Sequence, residues 1–556
     1  MPATPAEAFE SATRAASGSG FTAPESGAFD APVLDETLIA RLRADLSAAN
    51  WTVDALGELL SDRARSALAR DQRVPALVEL RGRADAASVL TRLFVLGSNV
   101  DDSVVEAALP TLGVQGASEL GLVAKDPAPL GWGLLALVDL RPYSAVVPAP
   151  EVGEGATREL DWWIASDRTS MQTGRALRAD HVLGVGGAST SLLEMTIRES
   201  VDSALDMGCG CGIQAMHLAT HAKRVVATDL SERCCAFTRF NAALNALDVE
   251  VRAGSLFEPV AGESFDLIVT NPPFVITPNS LRADGLLEYR DGGMSRDELV
   301  RAVVRQGPEH LVPGGVLQMI GNWEIPVGVD PDAEWSTRLE PWFECLPVDA
   351  WVVQRDVLDP ARYVEMWLQD ADPTADAPGG AEDSADLVRA CREEAYRAWL
   401  RDFDEAGVGG VGMGFLAMRR LTIGEGGGAR VFDLALAGAR PRGVDVARTL
   451  KALRLPEDLS GLRLVRAEDV TEERHYVPGS ADPRILILHQ GSGLGRSIRV
   501  GTAASAIVGA SDGELEVGQI VAAVALLTDR DAAEVAAEVD EPLRELLRAG
   551  MLSVVE

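Results

Sequence analysis

Lysine is almost absent from this chain, occurring only as Lys125, Lys223 and Lys451 in 556 residues. Binding to polyanions draws on clustered Lys and Arg, and here 51 basic residues face 84 acidic ones, for a net charge of −33. The carboxylate excess runs through every third of the sequence, so no basic domain is hidden in the total. A nucleic-acid-coating protein is thereby disfavoured, although one local basic groove would suffice for a substrate. The adjacent Arg419 and Arg420, between Met418 and Leu421, read as a solvated face of a strand. Cysteine is also scarce. Six are present, two adjacent (Cys234, Cys235) and two one residue apart (Cys209, Cys211), which is no disulfide framework and predicts a reducing compartment, the cytoplasm. Long apolar runs are missing: stretches such as Gly131–Val138 fall short of the roughly 18 residues of a membrane span. The first 29 residues hold acidic groups and no apolar run of signal-peptide length, and read as a flexible tail.

With 47% hydrophobic and 24% charged residues the composition is that of a folded globular protein. The length predicts about three or four domains. Leu38, Leu42 and Leu46, then Val53, Leu56 and Leu60, recur at helical spacing, and an apolar helix or strand follows over Val89–Leu96. Residues 30–150 are therefore expected to form a mainly helical accessory domain. Its later part is a region of short strands broken by Gly113, Gly116, Gly121 and Gly131, ending in a linker at Val146–Pro150. Between Ala204 and Gly321 short β-rich runs alternate with helical segments: Ala204–Met207, Arg224–Asp229, Val249–Ala253, Phe265–Thr270 and Val316–Ile320. That alternation predicts an α/β, doubly wound parallel sheet, which Ala350–Gln354 and Phe415–Leu421 would complete, giving a domain over 151–425. Ala371–Asp386, rich in Ala, Asp, Pro and Gly, reads as an acidic loop inside it. In 426–556, a helical face at Val517, Ile520, Val521 and Val524 follows a turn at Ser511-Asp512-Gly513. A second face at Leu543, Leu546 and Leu547 stops at Gly550, and a closing strand follows. The order resembles an α+β winged-helix module. Without Arg or Lys between Glu514 and Thr528, contact with a protein partner or plain support fits it better than DNA.

The run Asp206-Met207-Gly208-Cys209-Gly210-Cys211-Gly212 ends one strand candidate and opens a helix. Its glycines let backbone approach a ligand at a strand's carboxyl end, and Asp229, closing the next strand, can accept hydrogen bonds from both hydroxyls of a ribose. Gly210-x-Gly212-x-x-Ala215 also satisfies a dinucleotide fingerprint, so the loop alone leaves NAD and S-adenosylmethionine open. Asn271-Pro272-Pro273-Phe274, directly after the fourth strand candidate with Asp266 near its start, separates them. With this motif the segment of about 180–325 resembles the S-adenosylmethionine-dependent class I methyltransferases with an NPP-aromatic motif. These include release-factor glutamine and ribosomal-RNA guanine and adenine N-methyltransferases.

That resemblance implies a Rossmann-like core, S-adenosyl-L-methionine as cofactor, and methylation of a planar nitrogen on a protein glutamine or a nucleobase. By the same resemblance Asp206, Gly208, Gly210 and Gly212 cradle the methionine part and Asp229 the ribose. Thr190, in the pre-loop segment Asp180–Thr190, touches the cofactor carboxylate, and Asn271–Phe274 meets the target nitrogen. Asn271 borders the cofactor as well. Where many relatives carry an acidic residue beside the adenine, this chain has Ser255 and Leu256, so Ser255 or backbone takes that contact. The chemistry of the motif follows from the target. A planar amino nitrogen delocalises its lone pair, and two acceptors, the Asn271 side-chain oxygen and the Pro272 carbonyl, would draw it toward tetrahedral geometry, while Phe274 stacks on the flat substrate. Glu288–Gly293 is faintly similar to glutamine methyltransferases. Cys209, Cys211, His217 and His221 could supply four metal ligands on paper, but loop packing is the simpler reading and no metal is expected. Trp162 and Trp163 read as an apolar core edge or, less simply, a substrate cleft. The competing class of function is a cofactor-binding regulatory or scaffold protein with a degenerate pocket; a nicotinamide oxidoreductase leaves Asn271–Phe274 unexplained.

Overall fold

The computed structural model describes residues 31–127, 132–148, 156–174, 177–278, 294–370, 381–435 and 438–555. The tail expected over 1–29, Pro150 of the expected linker and the Glu288–Gly293 segment lie outside them. At the centre is an eight-stranded sheet. Its strands are β1 (Val201–Met207), β2 (Ala222–Asp229), β3 (Glu250–Ala253), β4 (Phe265–Thr270), β5 (Leu311–Pro326), β6 (Val348–Leu358), β7 (Val408–Arg420) and β8 (Arg430–Leu434). Their spatial order is β8-β6-β7-β5-β4-β1-β2-β3. β3, β2, β1, β4 and β5 run parallel, β7 is antiparallel to both β5 and β6, and β8 is parallel to β6. The seven strands read from the sequence are all present. β8 is additional, and it moves the sheet's limit past the expected boundary at 425.

Helices α1 (Gly187–Met195), α2 (Ile213–Leu218), α3 (Glu232–Leu244) and α4 (Glu298–Gln306) connect the parallel half. Two more, α5 (Pro360–Asp370) and α6 (Ala381–Ala406), lie between β6 and β7, and α7 (Gly443–Ala452) follows β8. The acidic loop expected over 371–386 is thus corrected in its second part: 371–380 lie outside the described residues, but from Ala381 the chain is helical. Val446 and Leu450 of α7 are buried with Trp351 and Phe415 of the sheet, so α7 packs on the sheet rather than starting a separate C-terminal unit.

The N-terminal part is mainly helical, as expected, from Glu36–Ala48 to Gly113–Glu119. Its core face is Ile39, Leu42 and Leu46, while Val53 is exposed. Val89–Val95 is helical, and Leu96 caps the turn. Gly113 and Gly116 stand in a helix, Gly113–Glu119, not among strands. The expected linker is also corrected. Val146–Pro148 ends a strand, Asp139–Pro148, paired antiparallel with Thr157–Ser166. The outer edge of that ribbon is taken by side-chain amides of α3. Asn241 Oδ1 accepts from Ala165 N (2.8 Å) and its Nδ2 donates to Ala165 O (2.8 Å); Asn245 does the same for Trp163 (2.9 and 2.8 Å). Two asparagines thereby imitate a neighbouring strand and satisfy backbone groups that burial would otherwise orphan. Trp162 and Trp163 are buried here, and Trp163 Nε1 donates to Trp51 O (2.8 Å), so they form a core edge and not a cleft. One apolar core runs from Leu42 and Phe94 through Trp163 to Phe237 and Leu244 of α3.

The last part contains helices Thr502–Ala510, Val517–Thr528 and Ala532–Arg548 and the strand Leu552–Val554. Val517, Ile520, Val521, Val524, Leu543, Leu546 and Leu547 are all buried, as their spacing predicts. Asp512 and Gly513, read as a turn, open the strand Asp512–Glu516 instead. The central strand of its sheet is Arg463–Arg466, from upstream of the helices, and a second three-stranded sheet over 471–500 precedes them. Arg419 and Arg420 are not a solvated face. Arg419 bonds Asp349 and Glu425, both at 2.9 Å, and Arg420 donates to Leu311 O.

Candidate functional site

The glycine loop turns sharply between β1 and α2, with φ of +77° at Gly208, +54° at Gly210 and +86° at Gly212, values that L side chains resist. A Cβ on Gly208 or Gly210 would meet no atom within 4 Å, whereas one on Gly212 would press on Thr238 at 2.9 Å. The first two glycines therefore face open space where a ligand can approach backbone, and the third is needed for packing. Asp206 is fully buried at the head of the loop. Its Oδ2 accepts from Ala215 N (2.9 Å), its Oδ1 has no hydrogen-bond partner among the described residues, and burial pushes its carboxyl up to about 7. Asp229, at the end of β2, accepts from Gly210 N (3.0 Å) and Ser231 N (2.9 Å), which fixes the loop to the next strand. Burial raises its pKa as well, against those bonds. Gly254 N donates to Asp229 O (2.9 Å), which brings Ser255 and Leu256 alongside. Leu256 holds a φ of +47°, a strained conformation for a bulky residue and one that clusters at ligand sites.

The pre-loop segment is fastened from below. Asp167 Oδ2 accepts from Val182 N (2.7 Å), and Arg233 bonds both Asp167 oxygens and Asp180 O at 2.7 Å. α1 then starts at Gly187, and Gln214 Nε2 donates to Ser189 O (3.0 Å). Asn271, just past β4, donates its Nδ2 to Ser189 Oγ (3.2 Å), which orients the amide and leaves its oxygen as an acceptor. Thr270 Oγ1 donates to Met207 O (2.7 Å), tying the ends of β4 and β1 together. Pro272 is buried, Pro273 is half-buried, and Phe274 is half-buried where three apolar clusters meet. Two helices clamp the residues that follow: the Tyr363 hydroxyl of α5 accepts from Ile276 N (3.0 Å) and from Asn322 Nδ2 (3.0 Å), and Trp399 Nε1 of α6 donates to Ile276 O (2.8 Å).

The structure thus gathers Asp206, the three glycines, Asp229, Ser255, Leu256 and Asn271–Phe274 at the carboxyl edge of the sheet. Thr190 stands apart: its hydroxyl donates to Gly186 O (3.1 Å) and its side chain lines a cleft on α1. Ser189, Tyr363 and Trp399 were not read from the sequence; a serine one position before Thr190 and two aromatics in an insertion carry no motif. Of the paper metal ligands, His217 bonds the Tyr143 hydroxyl (2.9 Å) and burial takes its pKa down to about 3, while Cys209 accepts from Thr238 Oγ1 (3.2 Å). Among the described residues no three His, Cys, Asp or Glu side chains converge as metal ligands do. No helix among them is long and apolar enough to cross a membrane.

Residues 184–329 match the family model described as the methyltransferase small domain, the stretch over which the sequence resemblance was drawn. Residues 48–132 match a second, described as a domain of unknown function, DUF7059. The chain is 32% identical over 122 residues to the ribosomal RNA small subunit methyltransferase C of Alcanivorax borkumensis, covering 22% of this chain and 33% of that one. It is 35% identical over 153 residues to the release factor glutamine methyltransferase of Geobacter sulfurreducens (25% and 53% covered). It is 34% identical over 154 residues to the ribosomal protein uL3 glutamine methyltransferase of Bradyrhizobium diazoefficiens (26% and 47% covered). The chain spans a third to about half of the length of these curated relatives.

Proposed function

We propose, from the methyltransferase small domain at residues 184–329, that this protein is an S-adenosylmethionine-dependent N-methyltransferase acting on a planar nitrogen of a macromolecule. The observation that carries the reading is Asn271, its amide nitrogen held by Ser189 and its oxygen left to accept, beside a glycine loop open to a ligand. The residues fit the cofactor. Gly208 and Gly210 leave room that a side chain would fill, and Asp206 carries a buried oxygen without a partner, suited to a cationic amino acid. Asp229 would take the ribose hydroxyls, and Ser255 and Leu256 would flank the adenine; their place at the carboxyl ends of neighbouring strands supports this. When bound, S-adenosylmethionine supplies an activated methyl on a positively charged sulfur. The chain's own residues supply the rest. The Asn271 oxygen and the Pro272 carbonyl accept the two N–H groups of the target, localising its lone pair and offsetting the positive charge that develops on nitrogen. Phe274 holds the flat group, and such positioning supplies several kcal/mol of the barrier. No strong base is required, because the methylated nitrogen acidifies as it forms and a proton can leave to solvent.

Isothermal titration with S-adenosylmethionine and, separately, NAD tests the cofactor, followed by tritiated-methyl transfer into protein and RNA fractions of a lysate. Binding of the first alone together with labelled product supports the enzyme. Binding without transfer to any fraction would favour a regulatory or scaffold protein that retains the cofactor, and binding of NAD would refute the assignment.

A further inference from the structure

We propose that the cleft on α1 grips a backbone phosphate of a polynucleotide substrate through Arg355 and Arg440. This rests on the methyltransferase reading and names its substrate class. The cleft has a volume of about 280 Å³ and is lined by Thr190, Ser191 and Glu194 of α1, by Arg355 near the end of β6 and by Arg440 between β8 and α7. Both arginines are exposed. Neither has an acidic partner among the described residues, although the chain is rich in carboxylates and Arg442, two residues from Arg440, faces Asp445. Arg355 and Arg440 both lie outside residues 184–329, so one wall of the cleft comes from the matched domain and the two cations come from the chain beyond it.

Its location connects it to the acceptor loop. Gln354 pairs with Gly414, and Gly414 with Gly321, two residues past Met319, the partner of Thr270. Arg355 therefore stands on the sheet's carboxyl edge, the edge on which Asn271 sits. On the other wall Thr190 adjoins Ser189, whose hydroxyl holds Asn271. A chain seated in the cleft would pass within a residue's length of the group that positions the target nitrogen.

The lining carries two guanidiniums against one carboxylate, a net +1, which suits the single charge of a phosphodiester. The two non-bridging oxygens of a phosphodiester accept from an arginine fork and keep lone pairs for a second donor, so two arginines can share one phosphate. Ser191 offers a further hydroxyl donor. A single grip of this kind reconciles a charge of −33 with a polyanionic substrate: it fixes register locally while the rest of the surface repels non-specific binding.

The test measures fluorescence anisotropy of a labelled short single-stranded RNA with the full chain and with the double variant Arg355→Gln/Arg440→Gln, over a range of salt, beside S-adenosylmethionine titrations of both. The expected result is about tenfold weaker RNA binding by the variant, a salt slope shallower by about 1, and unchanged cofactor affinity. Equal RNA binding by variant and wild type would overturn the proposal. So would a preference of the wild type for poly-glutamate, which would make the partner an acidic protein. Displacement of the RNA by inorganic phosphate, against chloride of matched ionic strength, would reassign the cleft to free phosphate. Loss of S-adenosylmethionine binding in the wild type would count against the methyltransferase reading instead, and the RNA comparison would still decide the cleft.

Discussion

At the glycine loop, the partners are close in sequence: Ala215 bonds Asp206 nine residues away, and Gly210 bonds Asp229 nineteen away. At the acceptor loop they are remote. Asn271 is held by Ser189 at a separation of 82, and Ile276 by Tyr363 and Trp399 at 87 and 123. The first site is shaped by backbone conformation and short-range bonds, the second by helices inserted elsewhere in the chain. Damage to the glycine loop, the proposed cofactor site, and damage to the clamp behind the proposed acceptor loop should therefore separate cleanly in measurement.

The largest effect is expected at Asn271. Asn271→Ala removes an acceptor for charge that develops only in the transition state, so methyl transfer should fall by about 10²–10³ while S-adenosylmethionine binds as before. Full transfer by this variant in the tritium assay would remove the basis for the contrast. Asp229→Ala strikes the other region: cofactor affinity measured by titration should weaken by roughly 10–100-fold, the scale of a lost hydrogen bond to a charged group. An unchanged Kd would show that Asp229 only braces the loop. Tyr363→Phe tests the clamp, since it strands the buried Ile276 N–H at a cost of about 1–3 kcal/mol. Thermal melting should drop and transfer should slow, with cofactor affinity intact; a shift in Kd would mean that the two regions are coupled.

Asp206 gives the contrast a pH signature. Its carboxyl is raised from 3.8 to about 7, so the ligand-free fold keeps its proton through the range where the unfolded chain loses it. Stability therefore declines as pH rises from about 4 toward 7. A cationic ligand wants the ionised form, so S-adenosylmethionine affinity should climb by up to about tenfold per unit as pH rises toward 7 and then level off. Asp206→Asn should flatten that profile, and a profile equally steep in the variant would place the titrating group elsewhere. Ser189→Ala should have the smallest effect, about 0.5–1.5 kcal/mol, seen in transfer rate and not in cofactor affinity.

The same contrast explains what could be read from the sequence. β1, β2 and β4 are apolar runs that stop at Gly208, Asp229 and Asn271, and buried parallel strands leave that trace. β8, Arg430–Leu434, is a five-residue edge strand with no fully buried side chain, so its pattern carries no periodicity. The glycine loop and Asn271–Phe274 were legible because each is a contiguous motif. Ser189 and Tyr363 were not, because their roles exist only once distant elements are packed together. Val146–Pro148 of the expected linker was misread because Pro148 resembles a chain exit, while the pairing that makes these residues a strand comes from residues 157–166.

Asn241 ties the glycine loop to the ribbon: besides copying a strand for Ala165, its Nδ2 donates to Cys211 O (2.8 Å). Residues 48–132 and 184–329, matched by two separate family models, share one apolar core, in which Trp51 and Phe94 pack with Phe237, Phe240 and Leu244. Cutting the chain near residue 180 to isolate the transferase would leave Phe237, Phe240 and Leu244 uncovered and Asn241 and Asn245 without the ribbon they bond. Such a fragment should aggregate, and one cut at residue 31 should not, a difference that the soluble yields of the two fragments would read: the N-terminal helices are a permanent cover for an apolar helix face.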